Sequence, residues 1–136
     1  MATAIVGFLG VMAGSLVIAS PASAQPDPLQ YAVEGNYQSG GGETCSFTRY
    51  YDMCFKPYGE VFWLKDDVKN GKAVGIHWRD TTDGYSGQCA NHEGVAAGWT
   101  YCNNSFPEGN RIEIDVVYYD ANDKMHINEL AAIVRA

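Results

Sequence analysis

The sequence predicts an all-β fold, an antiparallel two-sheet β-sandwich held by disulfides. Three observations predict it. Short runs of alternating apolar and polar residues recur about every 8–14 residues, the spacing of strands in a sandwich or small barrel. Turn signals separate them at Pro57-Tyr58-Gly59, Asn70-Gly71, Asp83-Gly84 and Asp120-Ala121-Asn122-Asp123. Four cysteines, Cys45, Cys54, Cys89 and Cys102, form an even set in a chain that opens on an export signal.

That signal is an apolar run from Ile5 to Ala19 followed by Ser20-Pro21-Ala22-Ser23-Ala24. Ala22-Ser23-Ala24 is an A-x-A cleavage site, which makes residues 1–24 a signal peptide and Gln25 the mature N-terminus. The run is about 15 residues, short of the ~20 that span a bilayer. No Lys or Arg precedes it, a departure from the usual basic start. The expectation is a secreted, extracellular protein without a membrane span in its mature chain.

The segment 25–43 reads as an extended arm with a hinge. Gln25-Pro26-Asp27-Pro28 excludes helix, because each proline also restricts the residue before it. Leu29, Tyr31 and Val33 then alternate with Gln30, Ala32 and Glu34 before the break at Ser39-Gly40-Gly41-Gly42. Such an arm suits partner docking through Leu29, Tyr31 and Val33, by adding itself to a partner's sheet edge. The competing reading makes it the first edge strand of its own sandwich.

The sandwich domain is expected over residues 44–136, crystallin-like or immunoglobulin-like in its two-sheet form. Thr48 to Phe55 is an aromatic-rich strand, and Glu60 to Lys65 is the next. Ala73 to Arg79 pairs with it across Asn70-Gly71, a strong hairpin signal. Val74, Ile76 and Trp78 alternate there with Gly75, His77 and Arg79, which puts His77 and Arg79 outside. Tyr85 to Ala90 and Gly98 to Cys102 bracket a glycine-rich loop. Ile112, Ile114 and Val116 form the longest clear strand, with Glu113 and Asp115 outside, and either Val61 or Phe62 joins the core. Met125 to Val134 closes the chain as a strand, against a competing helical reading of Asn128 to Arg135 supported by Glu, Leu and Ala. Three disulfide pairings are possible; Cys45–Cys54 and Cys89–Cys102 are favoured because each closes a short hairpin or loop. Zinc does not fit, since no C-x2-C pair is present.

All 16 acidic and 9 basic residues lie after the leader, so the net charge of −7 belongs to the folded part. With no basic stripe, nucleic acid is excluded as a partner. Gly84-Tyr85-Ser86-Gly87 approaches the G-x-S-x-G nucleophile elbow without its last glycine, between strands rather than strand and helix. Glu113 and Asp115 share a strand face as a glycosidase pair would, but so do the exposed acids of any half-buried strand. His77, His92 and His126 form no H-x-x-x-H pair, and Asp66-Asp67 and Asp80 to Asp83 lack the calcium-loop pattern. No cofactor is implied. Nine Tyr, five Phe and three Trp are the unusual resource, and adjacent pairs such as Tyr50-Tyr51 and Tyr118-Tyr119 place one ring on each face.

Tyr58-Gly59-Glu60-Val61-Phe62-Trp63-Leu64-Lys65-Asp66, with Ala73-Val74, Asp83-Gly84-Tyr85-Ser86-Gly87 and later Cys89, Cys102-Asn103 and Pro107-Glu108-Gly109, resembles small exported actinobacterial β-proteins. The resemblance covers about residues 55–120 and rests on structural positions. Within that group the chain is similar to the small adaptor subunits of umbrella toxin particles. This implies an adaptor that bridges a lectin-like and a toxin subunit, docking through its extended N-terminus. The resulting expectation is a secreted, non-enzymatic protein–protein interaction component of an extracellular, toxin-like complex. The alternatives are a carbohydrate-binding module using exposed Tyr and Trp, and a small secreted hydrolase or protease inhibitor.

Overall fold

The structure is a computed structural model that describes residues 28–136. The leader, its cleavage site and Gln25 to Asp27 lie outside the described residues. Ten strands run in chain order: β1 (Leu29–Tyr31), β2 (Val33–Glu34), β3 (Thr44–Phe47), β4 (Tyr51–Lys56), β5 (Val61–Asp66), β6 (Ala73–Asp80), β7 (Tyr85–Asn91), β8 (Trp99–Asn103), β9 (Arg111–Tyr119) and β10 (Met125–Arg135). They form two five-stranded sheets: a front sheet ordered β1-β7-β6-β9-β10 and a back sheet ordered β2-β8-β5-β4-β3. Every pairing is antiparallel except β1 on β7, which is parallel. The expected sandwich is therefore present, but the hairpin expected across Asn70-Gly71 is not. β5 pairs with β4 and β8, and β6 with β7 and β9, because the chain between Asp66 and Ala73 crosses from one sheet to the other.

The core fills the space between the sheets. Phe62, Leu64, Met53 and Phe55 enter from the back sheet, and Ile76, Ile112, Ile114 and Val116 from the front, all essentially inaccessible to water. The alternation selects Phe62, leaving Val61 half-buried. Trp78 points inward but stays half-buried, edge-on to Phe106 at 4.9 Å. Its indole lies over Gly87 on β7, where a Cβ would approach to 2.4 Å, so only glycine fits opposite it.

Both disulfides join the favoured pairs. Cys45–Cys54 links directly opposed residues of β3 and β4, with Cα atoms 4.1 Å apart. Cys89–Cys102 crosses from β7 to β8, tying one sheet to the other with Cα atoms 6.0 Å apart. Each closes a loop of about 10–15 residues, worth about 3 kcal/mol in the chain-entropy account.

The described part of the expected arm, residues 28–43, is not set apart from the sandwich. β1 joins the front sheet, the chain bends at buried Ala32, and β2 joins the back sheet. Ala32 N–H donates to Ala90 O at 2.9 Å and Gly35 N–H to Trp99 O at 3.0 Å. Beyond Gly35 the chain straps across the back sheet: Tyr37 stacks on Trp99 at 4.3 Å, meets Trp63 at 5.5 Å, and donates to Cys54 Sγ at 3.3 Å. The sandwich thus begins at Leu29 rather than residue 44. Apolar contact along the arm wins over the flexibility suggested by Gly40-Gly41-Gly42.

His77 and Asp115 lie on the outer face of the front sheet, as the alternation requires, yet only 7% and 4% of their surface is exposed. Their predicted exposure is overturned by what covers them. Tyr119, on the same face, folds its ring over Gly75, where a Cβ would come within 2.5 Å of it. Arg79 closes over Asp115. Tyr119 is consequently buried and Tyr118 half-buried, so neither ring of that pair is fully outside; in Tyr50-Tyr51 the first is exposed and the second buried.

Ile114→Ala should cost about 2–5 kcal/mol in chemical denaturation, the range for truncating a fully enclosed aliphatic side chain. A chain beginning at Gly42 should lose two edge strands and the Tyr37–Trp99 stack, and melt lower by about 5 °C or more. Unchanged melting of that shortened chain would mean that the arm contributes nothing to the sandwich.

Candidate functional site

Two places on this scaffold collect polar and aromatic side chains. The first is the outer face of the front sheet. β6 and β9 place Arg79 opposite Glu113 and His77 opposite Asp115. Arg79 Nη2 donates to Glu113 Oε2 at 3.1 Å, and its Nη1 donates to Asp115, one step along the diagonal. Arg111 contacts the other oxygen of Glu113. His77 Nδ1 lies 3.5 Å from Asp115 Oδ2, at the outer limit of a hydrogen bond. The result is a ladder, His77–Asp115–Arg79–Glu113–Arg111. The Asp115 and Glu113 hydrogen bonds push the Arg79 guanidinium further up. Arg79, followed by Arg111, holds the Glu113 carboxyl below the usual carboxylate range. A general acid needs the opposite shift.

β10 supplies an apolar stripe beside this ladder. Ile127, Leu130 and Ile133 are 59%, 53% and 49% exposed. In register they oppose Val117, Asp115 and Glu113, so all three share the outer face. A spacing of three would alternate faces in a regular strand. Register shifts between Ile127 and Glu129 and between Leu130 and Ala132 each absorb one residue and bring the next apolar side chain back to the same face.

At the opposite edge, β1 places Leu29 beside Gln88 and Tyr31 beside Ala90, on the same outer face and exposed. Tyr31 meets His92 edge-on at 5.1 Å, and His92 meets Tyr119 at 5.7 Å. Tyr119 donates to Gln88 Oε1 at 2.9 Å, and burial pushes its hydroxyl up to about 12. Val33 is exposed too, but pairs with Tyr101 on the back sheet. The three arm residues singled out from sequence therefore divide between the sheets.

The second place is a cavity of about 310 Å³ at the end of the sandwich where β5 passes to β6. Tyr50, Tyr51 and Tyr118 line it with Asp66, Lys72 and Val74. Tyr51 donates to Glu129, and burial pushes its hydroxyl up to about 12. Tyr118 stacks on His126 at 4.8 Å, and Lys72 Nζ sits 4.5 Å from its ring centre. Asp66, the last residue of β5, is 5% exposed; Val68 N–H donates to its Oδ1 at 3.0 Å, and burial raises its carboxyl. Sequence reasoning missed this site because Asp66-Asp67 reads as solvated turn chemistry. The readable signal was Asp66 in phase with Phe62 and Leu64, hence facing inward.

Ser86 is the second residue of β7 and points to the ladder face, opposite Arg79, without the strand-to-helix turn of a nucleophile elbow. Among the described residues no group of three His, Cys, Asp or Glu is placed to hold a metal. Asp80 is satisfied by turn amides and Asn110, as a turn residue should be. Among the same residues no helix is long and apolar enough to cross a membrane. What fold and faces define is a class, a disulfide-stapled two-sheet β-sandwich; no protein-family model, curated protein or solved structure matches the chain.

Asp120 gives this end of the molecule an acid-sensitive lock. His126 Nε2 lies 2.8 Å from its Oδ2, and Asn122 and Lys124 N–H donate to Oδ1, holding its carboxyl down to about 2. A carboxyl depressed on folding stabilises above its unfolded value of about 3.9 and loses that contribution as pH falls through its folded value. Asp120→Asn should therefore melt below wild type at pH ~6. That gap should narrow on acidification through about 4 towards about 2; a gap independent of pH would show that the charge is not responsible.

Proposed function

We propose that the chain is an exported, non-enzymatic protein-binding domain that engages an extracellular protein through the outer face of its front sheet. The observation that carries this is the stripe Ile127, Leu130, Ile133, kept on one face by two bulges instead of being turned inward. A row of three exposed aliphatic side chains beside fixed charges is the composition of an interface: apolar contact for affinity, a charged neighbour for orientation. Leu29 and Tyr31 extend the surface from the other edge. β1 pairs with β7 on one side and is the edge strand of the front sheet, so its open backbone edge can contribute beside these side chains.

Export is supported by the leader sequence and by two disulfides, which an oxidising compartment maintains. A net charge of −7 turns the domain away from nucleic acid. The adaptor role in a toxin-like complex is a narrower form of the same reading and rests on the sequence resemblance alone. A sugar platform on tryptophan is less well supported, because Trp63 and Trp99 are half-buried beneath the Tyr37 strap and Trp78 packs on the core.

The test is affinity capture from the producing organism's culture supernatant with the mature wild type and with Ile127→Ser/Leu130→Ser/Ile133→Ser. These side chains are solvent-exposed, so melting should change little. The variant should lose a protein that wild type retains, by about tenfold or more in affinity once that protein is purified. Equal retention by both, or no retained protein at all, would remove the reading.

A further inference from the structure

We infer that the cavity between the sheet ends is a binding site for an organic ammonium group, with Asp66 as counter-ion and Tyr50, Tyr51 and Tyr118 as its aromatic wall. Burial, geometry and charge converge on it. Asp66 is buried to 5% exposure, and among the described residues no salt bridge reaches it. A carboxylate taken out of water without a cation is costly unless one arrives. Among the described residues its side chain accepts one hydrogen bond, from Val68 N–H to Oδ1, which orients the group without neutralising it. The neighbouring acid Asp67 is already committed to Lys65 at 2.5 Å.

The walls suit the same ligand. Tyrosine rings attract ammonium groups through their electron-rich faces, and aromatic side chains grouped beside a carboxylate are how alkylammonium heads are recognised. The chain demonstrates the attraction on itself, because the Lys72 ammonium lies 4.5 Å from the centre of the Tyr118 ring. Lys72 is an exposed side chain on a flexible stem, so it can yield that position to an incoming group. Electrostatics point the same way. An adjoining depression of about 610 Å³ shares Asp66 and Lys72 with the cavity and is edged by Glu93, Asp120 and Asp123 against Lys69. The mouth is net acidic, which favours entry of a cation. At about 310 Å³ the cavity is at the small end of ligand sites, the size for one alkylammonium head.

The site is separate from the front-sheet surface, and its test stands apart from the previous one. The mature protein is titrated with n-butylammonium chloride and, in parallel, with n-butanol, following backbone amides by NMR. Saturable shifts confined to residues around Asp66, Lys72 and Tyr118 are expected with the amine and not with the alcohol. Asp66→Asn keeps the shape and the acceptor for Val68 and should weaken binding about tenfold, the loss of one charge-assisted contact. Lys72→Gln removes the internal competitor and should tighten binding by about two- to fivefold. Tyr50→Ser, at an exposed turn position, should weaken binding even if Asp66→Asn fails to fold. Nα-acetyl-lysine methylamide separates the sources: binding as tight as butylammonium identifies a partner's lysine side chain, and weaker binding a free amine. Equal response to butanol, shifts scattered over surface carboxylates, or indifference to both Asp66→Asn and Tyr50→Ser would overturn the assignment. The Ile127/Leu130/Ile133 variant should bind butylammonium as wild type does.

Discussion

The seam between β7 and β8 is the constraint on which the rest of the molecule depends. These strands lie in different sheets, and Cys89–Cys102 ties them through the core. The arm then binds the same two strands from outside, β1 on β7 and β2 on β8, turning at buried Ala32. A sandwich is held mainly by non-directional burial between its sheets, which resists separation better than sliding. A covalent cross-link and a strand pair at one edge fix both the spacing and the register there. The three-residue strand β1 needs this arrangement: so short a strand has little stability of its own, and parallel pairing asks for a long connection between the partners. The chain between Tyr31 and Tyr85 supplies it.

With that edge fixed, the two sheets are finished differently. The back sheet buries its outer aromatics under the chain's own strap, and Gly35 lies so close to Tyr101 and Trp63 that a Cβ would meet Tyr101 at 2.7 Å. The front sheet has no such strap among the described residues. Its centre is instead sealed by side chains from within, Tyr119 over Gly75 and Arg79 over Asp115, while its edge strands keep aliphatic side chains in water. Half-buried charge pairs of this kind add little net stability once desolvation is subtracted. What they do is hold fixed charges at set points on a flat face, a property useful to recognition and not required for folding.

The strands were legible wherever one face is buried and the other wet: Val74, Ile76 and Trp78, then Ile112, Ile114 and Val116, gave both the element and its inward side. Legibility failed where a glycine changed the meaning of its neighbours. Gly75 makes room for Tyr119 while Arg79 closes over Asp115, and no two-state pattern of apolar and polar residues encodes a ring lying over a missing side chain. In β10 the spacing of Ile127, Leu130 and Ile133 mimics a helix, and only the bulges make it one-sided in a strand. The arm misled differently. Its glycines are flexible letters, but Tyr37 between two tryptophans decides the position, and that contact spans strands distant in sequence. The cavity was unreadable as a site because its walls come from the β3–β4 turn, the β5–β6 loop and β9.

Asp66 and Asp80 show most directly how the two ends of the sandwich differ. Each is the last residue of a strand and each is almost wholly buried, at opposite ends of the molecule. Asp80 accepts from Thr82 N–H at 2.9 Å, Asp83 N–H at 3.2 Å and Asn110 Nδ2 at 2.7 Å, so its charge is met by donors on every side. Asp66 accepts from one amide and faces a cavity. Asp80 shows what a strand-ending aspartate receives when turn amides and a side-chain amide surround it. The proposed ammonium site accounts for this unequal treatment of the same residue in the same local position, which the requirements of the sandwich leave unexplained.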